Sequence, residues 1–156
     1  MFSKIKESIQ IVKQCFCKDK HGITLEEGER IVNTITKIFK FEAAHQLSEY
    51  DGKCNLLHGH SYKLEIEIDA DIKINSLSEK APKGMICDFA KLNMYVKENI
   101  IEKLDHSHLN DTIDNPTAEN LIDFIVYEFN THCIQSPLVR VRLYETDTCY
   151  AEWRKE

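Results

Sequence analysis

The sequence predicts an α+β fold: an antiparallel four-stranded sheet with two helices on one face, preceded by a helical extension. Two observations carry this. Apolar residues alternate with period two near both ends of the main segment, and between them two stretches repeat apolar residues at helical spacing. Strands and helices are thus segregated along the chain, which favours an antiparallel sheet covered by helices. A chain of 156 residues suits one domain with a proper core.

Near the start, Phe2, Ile5, Ile9 and Val12 recur at helical spacing opposite Lys4, Lys6, Glu7 and Lys13, giving a short amphipathic helix. Such a stripe docks on the host domain or a neighbouring subunit more readily than on a membrane. Lys18 to Gly22 reads as a loop, and Thr24 and Glu27 have capping-box spacing, with Gly28 weakening any helix that follows. From Ile31 to about Ala44 the residues favour a strand. Asp51-Gly52 marks a turn, and a second strand, antiparallel to the first, begins at His58. Asp88 caps a helix carrying Phe89, Leu92, Val96, Ile100 and Leu104 as its apolar stripe. A second helix begins at Asn115-Pro116, proline being tolerated in a first turn, with Leu121, Ile122, Ile125 and Phe129 facing the core. After Pro137, Leu138 to Glu145 alternates again, Val139, Val141 and Leu143 on one face, and a last strand runs from Tyr150 to Arg154.

A net charge of -6 argues against broad nucleic-acid binding. No apolar run approaches the roughly 20 residues of a membrane span, so no membrane partner is expected. The start of the chain has no signal-peptide pattern, so its six cysteines are expected to be reduced thiols in the cytoplasm. Cys15 and Cys17 have no matching second pair and are assigned no function.

The chemistry concentrates in three histidines and a thiol. His58 and His60 share strand parity with Tyr62, Leu64, Ile66 and Ile68, while His45 shares parity with Phe39, Phe41 and Ala43. All three imidazoles can therefore converge on one inward point, which suits zinc. Three histidines would leave a fourth position open, as catalytic sites do; Cys54 as a fourth ligand would close the site and make it structural. Three metal-free core histidines would be hard to satisfy on one apolar face.

Glu145 shares the parity of Val141 and Leu143, so a carboxylate ends an apolar strand face. Either an internal Arg or Lys or a bound heterocycle presenting adjacent N-H donors would pair it. Asp105 can orient and polarise His106 as an acid or base near neutral pH, although a surface pair or helix C-cap would look the same. Zinc and a histidine near Cys54 would favour its thiolate.

Taken in order, Phe41-Glu42-Ala43-Ala44-His45, Cys54-x-x-x-His58-Gly59-His60-Ser61-Tyr62, Asp88-Phe89, Leu104-Asp105-His106 with Leu109-Asn110-Asp111, Asn115-Pro116-Thr117-x-Glu119 and Glu145-Thr146 closely resemble the 6-pyruvoyltetrahydropterin and 6-carboxytetrahydropterin synthase family. The similarity covers about residues 34 to 154. Residues 34–156 are accordingly read as a pterin synthase domain and residues 1–33 as an extension of unknown role.

This resemblance implies a tunnelling fold, in which sheets join into a barrel and trimers stack into a homo-hexamer with active sites at subunit boundaries. It implies 7,8-dihydroneopterin triphosphate as substrate. It further implies that His45, His58 and His60 bind Zn2+ and that Cys54 is the general base. Asp105 and His106 would form a proton relay, and Glu145 would anchor the pterin with Thr117 and Glu119. Three residues between Cys54 and His58 resemble the carboxy-forming branch of the 7-deazapurine and queuosine pathway, which releases acetaldehyde and triphosphate. The pyruvoyl-forming branch and a non-catalytic zinc-dependent pterin-binding module are the alternatives.

Overall fold

The computed structural model describes residues 33–69, 85, 87–132 and 138–156, together with short strands at 17–18 and 24–25. The chain divides into two compact units, Met1–Ile31 and Val32–Glu156. In the first, β1 (Cys17–Lys18) pairs antiparallel with β2 (Thr24–Leu25). This corrects the expected loop at Lys18 and helix start at Thr24; β-branched Thr24 takes the extended backbone it favours. The helix expected over Phe2 to Val12 lies outside the described residues.

The second unit holds a five-stranded sheet. Its long central hairpin comprises β3 (Thr34–His45) and β4 (His58–Asp69), antiparallel from Thr34 opposite Asp69 to His45 opposite His58. Phe39, Phe41, Tyr62, Leu64, Ile66 and Ile68 are buried, as their shared parity predicts. Then comes α1 (Phe89–Val96), capped by Asp88, whose side chain accepts from the Ala90 N-H at 2.8 Å. The helix continues through a wider π turn at Lys97–Ile101 and a last turn at Glu102–Leu104. The sequence explains this widening. Leu92, Val96, Ile100 and Leu104 recur every fourth residue and are all fully buried. A 3.6-residue helix would rotate such a row off its face by about 40° per turn, and the wider turn absorbs the drift. Phe89, expected on this stripe, is half exposed at the helix start.

Three more strands and a helix follow among the described residues. β5 (Ser107–His108) runs parallel to β3, pairing Ala43 with Ser107 and Ala44 with His108. α2 (Ala118–His132) follows, and then β6 (Leu138–Thr146) and β7 (Cys149–Arg154), giving the sheet order β5-β3-β4-β6-β7. The expected four-stranded antiparallel sheet thus gains a short parallel fifth strand. Two residues carry no readable periodicity, and the positive φ of 55° at His106 turns the chain into this strand.

Two boundaries also move. Helix α2 starts after Thr117 rather than at Pro116, because Thr117 is its cap: its carbonyl accepts from Leu121 at 2.9 Å and its hydroxyl from Asn120 at 3.3 Å. In β6 the register shifts opposite Glu67 and Ile68, so that Leu138 pairs with Ile68 and is buried. Leu138, not Val139, therefore takes the first core position.

The core lies between one sheet face and the two helices, with Leu121, Ile125 and Phe129 of α2 fully buried beside Val141 and Leu143. Phe129 also meets the Tyr95 ring edge-on at 5.3 Å, and its carbonyl accepts from the Tyr95 hydroxyl at 2.8 Å. Phe129→Ala is expected to cost about 3–5 kcal/mol in denaturant unfolding, because it removes a large side chain from a close-packed layer. The opposite sheet face carries an ionic lattice in which Arg140 meets Glu67 at 2.5 Å and Arg142 meets Glu152 at 2.5 Å.

Candidate active site

The hairpin register brings the histidines together before any ligand is considered. His45 stands directly opposite His58, and His60 lies opposite Ala43, two residues along the same face. Small residues allow the crowding: a Cβ on Gly59 would sit 3.2 Å from the Ala43 carbonyl oxygen. The ligand-capable atoms of the three imidazoles all lie within 4.8 Å of one another.

Their hydrogen bonds prepare them for a cation. The Nδ1 of His45 lies 2.7 Å from the Pro116 carbonyl oxygen, and the Nδ1 of His58 lies 2.7 Å from that of Leu56. A carbonyl only accepts, so in each neutral ring Nδ1 carries the proton and donates. The two Nε2 lone pairs then face each other at 3.1 Å, an arrangement that needs a proton or a metal ion between them. His60 Nε2 is buried with no hydrogen-bond partner. Burial, opposed by the Glu145 charge, holds the His60 imidazole below its ordinary range and so in the neutral form that binds metals. This donor set fits a divalent ion such as zinc with a coordination position to spare. Cys54 is not part of the group.

Glu145 approaches the same point from β6. Its Oε1 lies 3.5 Å from His45 Nε2 and 3.6 Å from His60 Nε2, and among the described residues these imidazoles, not an Arg or Lys, are its ionic neighbours. Glu145 also lines a cleft of about 330 Å³ with Thr117, Glu119, Tyr50 and Cys149. The three sequence-predicted substrate residues are thus brought together at the start of α2. Beneath the histidines lies Tyr62, whose hydroxyl is buried without a partner. Burial, reinforced by Glu145, pushes its pKa far above the ordinary phenol value, so it stays neutral. Tyr62→Phe is expected to leave thermal stability unchanged or raise it, by up to about 1 kcal/mol, since no hydrogen bond is lost and an unsatisfied hydroxyl is removed.

The Asp105–His106 pair sits beyond the other side of β3. Asp105 Oδ1 lies 2.9 Å from His106 Nδ1 and accepts from the Glu42 N-H at 2.9 Å, while the His106 N-H donates to the Glu42 carbonyl at 2.6 Å. The Glu42 amide, more than His106, holds the Asp105 carboxyl below its usual range and therefore ionised at neutral pH. His106 is largely exposed and shares an open groove of about 390 Å³ with His60, Glu42 and Ser61. Cys54 is a free, half-buried thiol on the 3-10 turn Lys53–Asn55. His60 therefore lines the groove of His106, and Glu145 beside it lines the cleft of Thr117 and Glu119.

Sequence reasoning missed Glu42, whose backbone clamps the Asp105–His106 pair and whose carboxylate accepts from the Ser61 hydroxyl at 2.7 Å. It also missed the Pro116 and Leu56 carbonyls that set the histidine tautomers. Backbone groups leave no residue-type signal; Glu42 could have been noticed only as part of the block ending at His45.

The family model for 6-pyruvoyl tetrahydropterin synthase matches residues 34–156. The chain belongs to this family. Among its relatives, the 6-carboxy-5,6,7,8-tetrahydropterin synthase of Haemophilus influenzae is 32% identical over 78% of this chain and 98% of its own length. That of Synechocystis is 35% identical over 76% of this chain and 91% of its own. The 6-pyruvoyl tetrahydropterin synthase of Caenorhabditis elegans superposes with a TM-score of 0.66 at 22% identity, covering 81% of this chain and 97% of that structure. That likeness fixes the α+β fold of the pyruvoyl tetrahydropterin synthase family for the main unit. No described helix is long and apolar enough to cross a membrane.

Proposed function

We propose that the chain is a zinc-dependent 6-carboxy-5,6,7,8-tetrahydropterin synthase acting on 7,8-dihydroneopterin triphosphate. The observation that carries this reading is the pair of Nε2 atoms 3.1 Å apart, each left aprotic by a carbonyl on Nδ1, with the Glu145 carboxylate 3.5 Å away. Three imidazoles able to hold a metal ion and a partner for N-H donors thus stand side by side. The names and full-length coverage of the H. influenzae and Synechocystis relatives support the carboxy-forming branch over the pyruvoyl-forming one.

Zinc held by His45, His58 and His60 would supply Lewis acidity toward the oxygens of the substrate side chain. The protein's own groups do the rest. Glu145 accepts the adjacent N-H donors of the pterin, with Thr117 and Glu119 lining the same cleft. Cys54 removes a proton from the side-chain carbon as general base. His106, oriented by ionised Asp105, returns protons as hydrogen moves from side chain to ring. Overall the pterin ring is reduced while one side-chain carbon is oxidised to carboxylate, with water consumed and acetaldehyde and triphosphate released. We place the reaction in 7-deazapurine and queuosine synthesis, in the cytoplasm, within a homo-hexamer whose active sites lie at subunit boundaries. Family resemblance supports that placement.

Glu145→Gln tests the substrate assignment. It replaces one acceptor oxygen by a donor facing other donors, so KM for dihydroneopterin triphosphate is expected to rise by about 10- to 100-fold with zinc content unchanged. An unaltered KM would remove Glu145 from pterin recognition.

A further inference from the structure

The strand pairing of β5 with β3 does not end where its backbone does. Ala43 pairs with Ser107 and Ala44 with His108, after which residues Leu109–Asp111 leave the sheet as a 3-10 turn. Asn110 nevertheless continues the ladder through its side chain. Its Oδ1 accepts from the Gln46 N-H at 2.9 Å and its Nδ2 donates to the Gln46 carbonyl at 2.8 Å, at the same separation of 64 residues. A carboxamide offers one acceptor and one donor in the arrangement of a peptide unit, which neither a carboxylate nor a hydroxyl reproduces.

The residues so gripped carry the turn that bears the thiol. The Leu47 N-H donates to the Cys54 carbonyl at 2.9 Å, and the Gln46 side chain donates to the Asn55 carbonyl at 2.8 Å. Two hydrogen bonds from Asn110 thus fix Gln46, and two more run from Gln46 and Leu47 to the turn. Asp105 and His106 hang on Glu42 and His45 is oriented by Pro116, away from this turn. His58 touches its end through the Leu56 carbonyl but is held in β4 by its pairing with His45.

We propose that Asn110 is a positioning residue for Cys54, holding the thiol-bearing turn in register with the end of β3. The proposal rests on the reading of Cys54 as the general base. Its effect passes through Gln46 and Leu47 to the turn, so it bears first on the thiol, while strand pairing with His45 keeps His58 in place.

The test uses zinc-loaded full-length protein. Asn110→Ala is expected to lower kcat about tenfold with KM changed by less than about twofold, and to leave zinc content unchanged. Iodoacetamide modification of Cys54, followed on its own peptide, should accelerate about fivefold or more as the half-buried turn loosens. Asn110→Asp keeps the acceptor and loses the donor, so it should fall between wild type and Asn110→Ala, and it supplies the same readouts if the alanine variant does not fold. In a Cys54→Ala background, Asn110→Ala should cost nothing further in residual turnover, because the two act as one unit. Additive losses, or a fall in kcat with unchanged Cys54 alkylation, would overturn the proposal. Wild-type turnover by Cys54→Ala alone would instead refute the base assignment, and the alkylation rates would still report whether Asn110 holds the thiol.

Discussion

His58→Ala is expected to strip zinc from the protein and abolish turnover. His58 and His45 face each other across the hairpin with Nε2 atoms 3.1 Å apart, so removing either leaves a two-nitrogen remnant. Losing even an outer partner of a metal ligand costs about 10- to 100-fold in affinity, so losing the ligand itself should cost at least about 100-fold. The variant should still fold, because His58 is only partly buried and stands at the strand start, outside the packed core. Equilibrium dialysis against a zinc buffer, read alongside circular dichroism, separates the two effects. Full zinc retention by a folded His58→Ala protein would place the metal elsewhere.

Cys54→Ala is expected to do the reverse, keeping zinc while lowering kcat about 10²- to 10⁴-fold, the range of a lost general base. The thiol stands outside the imidazole cluster, on a turn joined to β3 through Leu47 and Gln46. A closed site of one thiolate and three imidazoles, as in a non-catalytic module, would instead lose zinc with Cys54. Metal content and single-turnover rate of the same preparation decide between them.

Strand parity was the legible part of this molecule. The alternation through Phe39, Phe41, Ala43 and His45, and through His58, His60, Tyr62 and Leu64, places the histidines on the core side of a hairpin, and the structure holds them there. Helical rows at Leu92 to Leu104 and Leu121 to Phe129 were equally readable, because burial repeats over several turns. Features of one or two residues were not. β5 pairs only Ser107 and His108, and the shift that buries Leu138 in place of Val139 is a local bulge; neither generates a period. Within the site, residue types announced the three imidazoles that could hold a metal, while the parts that orient the site's side chains are mainly carbonyls and amides. The Pro116 oxygen and the Glu42 backbone depend on tertiary approach, and the Leu56 oxygen on the shape of the turn two residues before His58; residue spacing encodes neither. Glu145 was visible as a carboxylate on an apolar face, but its histidine neighbours emerge only when β6 lies against β4.

In the proposed function these three imidazoles hold a metal that drives carbon-carbon cleavage of a pterin side chain. This is tested most directly by removing metal from the protein, restoring zinc stepwise, and measuring acetaldehyde formed from 7,8-dihydroneopterin triphosphate. Acetaldehyde and 6-carboxytetrahydropterin should appear in equal amounts and rise with bound zinc until His45, His58 and His60 are saturated in each chain. Acetaldehyde from the metal-free protein, or pyruvoyltetrahydropterin as the sole product of the zinc-loaded one, would contradict the account.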